Sequence, residues 1–162
     1  MLEQFIAWSK DGQIANLMSQ PWVWPWSEAI HFIGMSLLFG SIMIMDIRLM
    51  GFFRKEISLH AVHALTPWGL LGFLLNLITG VGFVMKDAER YFPNPDFWFK
   101  MICVLLAGVN FLVFWFVIRK QIHALPDDAD VSMSAKAVGA SSLVLWTAVM
   151  WGGRMMPVFG VG

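Results

Sequence analysis

Four histidines and a set of methionines are the residues of this chain best suited to ligating chemistry. His31 lies in the stretch EAIHFIGMSLLFGSIMIMDIRLMG, residues 28–51, and from Ala29 to Met45 it is the only side chain able to carry a charge. An imidazole one turn inside such a run is costly to keep without a partner, so it reads as a functional group by default. Two chemistries suit it: axial ligation of a b-type haem iron, or contact with a quinone. The bland alternative is a neutral imidazole hydrogen-bonded to a neighbouring helix. His60, His63 and His123 form a second group, with His63 and His123 as a candidate bis-imidazole pair and Arg48, Arg54 or Arg119 as partners for haem propionates. For His60 and His63 the plain alternative is a solvated interfacial residue, and for His123 a cation at the negative end of a helix dipole. Candidate metal ligands are therefore His31, His63 and His123, and candidate cofactor contacts add His60, Arg48, Lys100 and Arg154. Arg154, following two glycines, also reads as a simple headgroup anchor.

The elements that must position these groups are membrane helices. The chain has 162 residues, 58% hydrophobic and only 14% charged, with a mean hydropathy of +0.66. Soluble domains average about 25% charged residues, so the departure is toward an integral membrane protein. Four apolar runs are long enough to cross a hydrocarbon layer of about 30 Å, at about 28–51, 64–86, 97–118 and 136–153. The expected architecture is all-α: a single membrane domain over residues 1–162, an integral four-helix bundle with a short interfacial helical segment in residues 1–25. Trp22, Trp24 and Trp26, interspersed with Pro21 and Pro25, read as an aromatic belt, with Ser27 as N-cap and Glu28 in the first turn of helix one. Ser36 and Gly40 would allow close approach of a neighbouring helix. Asp46 and Arg48 point to different sides of helix one, which disfavours an ion pair between them. Asn76 and Asn110, at similar depth in antiparallel helices two and three, are expected to hydrogen-bond to each other.

Basic residues beside the spans are slightly more numerous on the side of the first and third loops: Arg48, Arg54, Lys55, Arg119, Lys120 and Lys136 against Lys10, Lys86, Arg90, Lys100 and Arg154. That places those loops in the cytoplasm and both termini outside. His31, Lys100, Arg154 and the methionines Met85, Met101, Met155 and Met156 then fall toward the outer surface, and His60, His63 and His123 toward the inner one. The N-terminus has no basic start followed by an apolar run and a cleavage site, so an internal helix is expected to direct insertion.

Several classes are excluded. Net charge is zero and no Lys/Arg track exists, which rules out nucleic acid as a partner. The single cysteine, Cys103, supports neither an internal disulfide nor a thiolate metal site. No Ser/His/Asp arrangement, phosphate loop or zinc signature is present. Thioethers suit Cu(I), but Met43, Met45 and Met50 scatter around their helix and read mainly as packing or lipid-facing residues.

The runs HFIGMSLLFGSIMIMDIRLMG, LTPWGLLGFLLNLITG, NPDFWFKMICVLLAGVNFLVF and WGGR resemble a family of small four-helix bacterial inner-membrane proteins of unassigned function. They are more distantly similar to copper-resistance D-type proteins and membrane b-type cytochromes. The resemblance implies motif positions at His31, Asp46, Arg48, Pro67, Trp68, Gly80, Asn94, Lys100, Asn110 and Arg154, and Trp115 where some relatives carry a histidine. The resulting expectation is a multi-pass subunit of the bacterial inner membrane, with periplasmic termini. It binds b-type haem or quinone and exchanges electrons with other membrane or periplasmic redox subunits, or works as a homo-oligomer. Two alternatives remain: a structural or assembly subunit without cofactor, and a copper transport or resistance protein.

Overall fold

The computed structural model describes residues 2–10 and 12–159. Among these the chain forms helices and no strands: α1 (Leu2–Lys10), α2 (Gln13–Met18), α3 (Val23–Leu49), α4 (Leu59–Lys86), α5 (Ala88–Tyr91), α6 (Pro95–Val113), α7 (Arg119–His123) and α8 (Met133–Phe159). A π-helical turn, Phe114–Ile118, joins α6 to α7, making one continuous span from Pro95 to His123. With α3, α4 and α8, that gives four helices long and apolar enough to cross a membrane. The fold is an all-α membrane four-helix bundle. Its outward faces are apolar, as a lipid environment requires: Ile78 is 62% and Leu105 70% exposed.

Each helix has a local cause. Ser58 caps α4 by accepting from the Ala61 N–H at 3.1 Å, and Asn94 caps α6 by accepting from the Asp96 N–H at 2.9 Å, with Pro95 in the first turn where its missing N–H costs nothing. Helix α3 starts at Val23, not at Ser27, and so absorbs the tryptophan segment. Pro25 is tolerated because it too lies in the first turn. The indole of Trp24 then packs on Phe83, centroids 5.0 Å apart, beneath the Lys86 ammonium at 3.7 Å.

Packing fixes which helices are neighbours. Helix α3 lies against α4 and α8, and α6 lies against α8. The α3–α4 crossing is at Gly34 and Gly72: a Cβ on Gly72 would lie 2.5 Å from Leu38 N and 2.6 Å from Gly34 O. A Cβ on Gly139 would lie 2.9 Å from Asp46 O, which marks the α3–α8 crossing. The close approach expected at Ser36 and Gly40 does not occur, since Gly40 has open space where its Cβ would be and Ser36 is exposed. Nor do Asn76 and Asn110 bond to each other. Asn76 donates to Gly72 O within α4, and Asn110 donates across to Val138 O on α8 at 3.1 Å.

The compact core sits at the end of the bundle that carries the α3–α4 and α7–α8 loops, where Leu49, Leu59, Val62, Phe114, Ile118 and Ile122 interlock. Arg48 ties that end together. It is 0% exposed, and its Nε donates to Ile57 O at 2.7 Å while Nη2 donates to Asp127 O at 2.9 Å and Ala129 O at 3.1 Å. One guanidinium thus joins two loops. Toward the end carrying the termini, the helices part and leave a hollow.

Candidate functional site: a cavity around His31

The hollow at the termini end is a cavity of about 550 Å³, within the usual range for small-molecule sites. Its wall is mostly apolar and aromatic, and its polar lining includes His31 from α3, Asn76 from α4, Tyr91 from α5 and Lys100 from α6. The short helices α1 and α2 pack across this end of α4, with Phe5 in the cavity wall and stacked edge-on to Phe92 at 5.4 Å.

The hydrogen-bond chain on His31 determines its tautomer. Thr79 Oγ1 donates its proton to Leu75 O at 2.7 Å, as helical threonines do. Its oxygen is then an acceptor toward His31 Nδ1, also at 2.7 Å. Nδ1 therefore carries the proton, and in the neutral ring Nε2 keeps its lone pair. A ligating histidine is commonly held this way, one nitrogen pinned by a hydrogen bond and the other left for the ligand. Phe83, with its ring centroid 5.2 Å from that of His31, holds the imidazole from the side.

Lys100 is the second unusual group. Its stem packs against Gly152 and Gly153, which leave room for it, and its ammonium makes no hydrogen bond or ion pair with any described residue. A cation within a membrane cavity normally finds a partner, so the ammonium presents an unfilled donor to whatever enters. Burial holds the Tyr91 phenol above its ordinary value, so the group stays a neutral hydroxyl at the cavity margin. Met35, Met85, Met101 and Met156 supply thioethers to the same wall. The residues fit a b-type haem, with an imidazole lone pair, nearby thioethers and an ammonium for a propionate. They equally fit a quinone ring flanked by an acceptor and a donor.

The other expected site residues are placed differently. Arg154 is exposed and is not part of the cavity wall. At the loop end His63 and His123 do meet, but as stacked rings with centroids 3.9 Å apart and planes 13° apart. Rings in that arrangement present faces rather than nitrogens to each other, leaving no gap for an iron between two axial ligands. Both ring nitrogens of His63 are buried without partners. His60 is exposed, and its backbone N–H donates to Asp127 Oδ1 at 3.1 Å. Arg48 uses Nε and Nη2 in the loop clamp, while its Nη1 is buried without a hydrogen-bond partner, Arg54 lies 3.6 Å from Asp130, and Arg119 lies over the Trp115 ring at 4.1 Å. Among the described residues no cluster of three or more His, Cys, Asp or Glu side chains could hold a metal ion.

Comparison with known families gives a match over most of the chain. The model for a family of unknown function, DUF6644, covers residues 21–159. The chain belongs to that family. The DUF6644 match spans all four membrane helices and both cavity-lining polar groups, His31 and Lys100, and leaves α1 and α2 outside it. No curated protein matches the chain, and no solved structure does. The distant likeness to copper-resistance D-type proteins and membrane b-type cytochromes thus finds no support.

Proposed function

We propose that this DUF6644 chain is a redox subunit of the bacterial inner membrane that binds a b-type haem or a quinone in the His31 cavity and passes electrons to or from a partner complex. The observation that carries the reading is the Thr79–His31 bond. It holds the imidazole so that an unprotonated nitrogen belongs to a cavity where Lys100 offers a donor with no partner among the described residues. Haem, when bound, supplies one-electron chemistry, and quinone two-electron chemistry. The chain's own residues do the holding. His31 Nε2 offers a lone pair to iron or accepts from a quinol hydroxyl, Lys100 donates to a carboxylate or carbonyl oxygen, and the aromatic and methionine wall excludes water. With the termini on the periplasmic side, as the loop charges favour, the site lies near the outer leaflet and within reach of a periplasmic partner.

The test is a titration of the detergent-solubilised protein with haemin and, separately, with a short-chain quinone, followed by absorbance and by tryptophan quenching. Saturable one-to-one binding of one of the two, lost in His31→Ala and weakened in Lys100→Met, is expected. Binding that neither substitution alters would overturn the assignment to this cavity.

A second reading rests on the same wall. An imidazole with several thioethers is a soft donor set suited to Cu(I), and a copper-handling protein would take up Cu(I) in a way that Met35→Leu and Met101→Leu abolish. Binding of neither cofactor nor copper leaves a structural or assembly subunit.

A further inference from the structure

A second cavity, of about 240 Å³, lies nearer the loop end between α3, α4, α6 and α8. Of the residues lining it, Asp46 alone titrates. The carboxyl is 4% exposed, and its Oδ2 has no hydrogen-bond partner. Ser142 on α8 lines the same cavity. Two other polar side chains of the wall are satisfied elsewhere: Thr66 donates to Val62 O at 3.0 Å, and Asn110 donates to Val138 O and accepts from the Ser141 hydroxyl at 2.9 Å.

Among the described residues no cation pairs with this carboxyl. On its own helix, Arg48 directs Nε and Nη2 into the loop carbonyls. From α8, Lys136 bonds to Asp130 at 3.0 Å, and α6 contributes no charged group to the wall. On α4 the nearest ionisable group in sequence is His63, which stacks on His123. A buried charge without a partner is costly to keep. The form that this pocket stabilises is the neutral acid.

We propose that Asp46 is a proton-binding site within the membrane, loaded and unloaded through the cavity that it lines. The exchange is a plain protonation, carboxylate plus hydronium giving carboxylic acid plus water, and needs no other reactant. The two cavities share Leu38, Phe73, Val104 and Trp146 as walls. Asp46 is fifteen residues from His31 on α3, about 22 Å at 1.5 Å per residue, so direct proton transfer between them is excluded and these four side chains stand between the two compartments. This proposal does not rest on haem or quinone binding at His31.

The test uses the full chain in liposomes. Infrared difference spectra between wild type and Asp46→Asn are expected to show a carboxylic-acid carbonyl band at neutral pH that shifts in D2O and disappears at alkaline pH. Dicyclohexylcarbodiimide, which modifies protonated carboxyls in apolar surroundings, is expected to label Asp46 at neutral pH, to leave the exposed Asp128 unlabelled, and to lose its effect as pH rises. A carboxylate band alone at neutral pH, an acid band insensitive to D2O, or unlabelled Asp46 would overturn the proposal. The carbodiimide result is read on the wild type and stands even where Asp46→Asn does not fold.

Discussion

Replacing Thr79 by valine keeps the shape of the side chain and removes the one oxygen that holds His31 Nδ1–H. Two outcomes are open to the imidazole. It can keep the proton on Nδ1, leaving a donor without a partner at a cost of about 1–3 kcal/mol. Alternatively it can move the proton to Nε2, which removes the lone pair that the cavity ligand requires. Either route weakens binding, and loss of the hydrogen bond orienting a ligating histidine typically lowers affinity by about 10–100-fold. Leu75 O loses its threonine partner as well, but it keeps its place in the α4 backbone, so the fold should hold. The assay is the dissociation constant of the bound cofactor, measured beside the thermal midpoint in the same detergent. A Thr79→Val protein with wild-type affinity would refute the tautomer argument, and Thr79→Ser is expected to restore binding.

Three further outcomes follow from the packing. Gly72→Ala would drive a methyl into Leu38 N and Gly34 O and is expected to cost about 1–3 kcal/mol, the usual range for overpacking, read as a lowered melting temperature, whereas Gly40→Ala, in open space, is expected to be neutral. Arg48→Leu leaves Ile57 O and Ala129 O without their donor and Asp127 O with only the Leu59 N–H at 3.4 Å; at about 1.5–3 kcal/mol per charge-assisted bond, the expected result is severe destabilisation together with new protease cleavage in the 50–58 and 124–132 loops. Asp130 is held below the usual carboxylate range, first by its hydrogen bond from Lys136 and also by Arg54; because its folded value is depressed, its contribution to stability is present at neutral pH and is lost as pH falls from the ordinary aspartate range through the lowered one. The melting-temperature gap between wild type and Asp130→Asn should therefore close on acidification, and a gap that widens would contradict the assignment.

Much of the scaffold was legible because membrane spans announce themselves by length and hydropathy alone. The start of α3 was not, since a Trp-Pro segment reads as an interfacial loop unless the proline is seen to fall in a first turn. Helix neighbours were also hidden. Gly34 and Gly72 are single small residues among large ones, and nothing in either helix signals that one faces the other. Pairing Asn76 with Asn110 assumed that antiparallel α4 and α6 are in contact, whereas Asn76 bonds within α4 and Asn110 bonds across to α8. His31 and Lys100 were legible as a shared end of the bundle, because topology alone puts them there. Thr79 was visible as a polar residue of α4, but its role depends on a bond across 48 positions that sequence spacing does not encode. Arg48 read as a propionate partner; its partners are backbone carbonyls of the α3–α4 and α7–α8 loops, Ile57 O, Asp127 O and Ala129 O, which no side-chain type in the sequence marks.

Protein purified from its native membrane in a mild detergent, analysed for iron, for extractable quinone and by reduced-minus-oxidised spectroscopy, would show what the His31 cavity holds. The expected result is close to one equivalent of haem or of quinone per chain, lost in the protein bearing His31→Ala. Wild-type protein that is correctly folded yet carries neither iron nor quinone would contradict the redox reading.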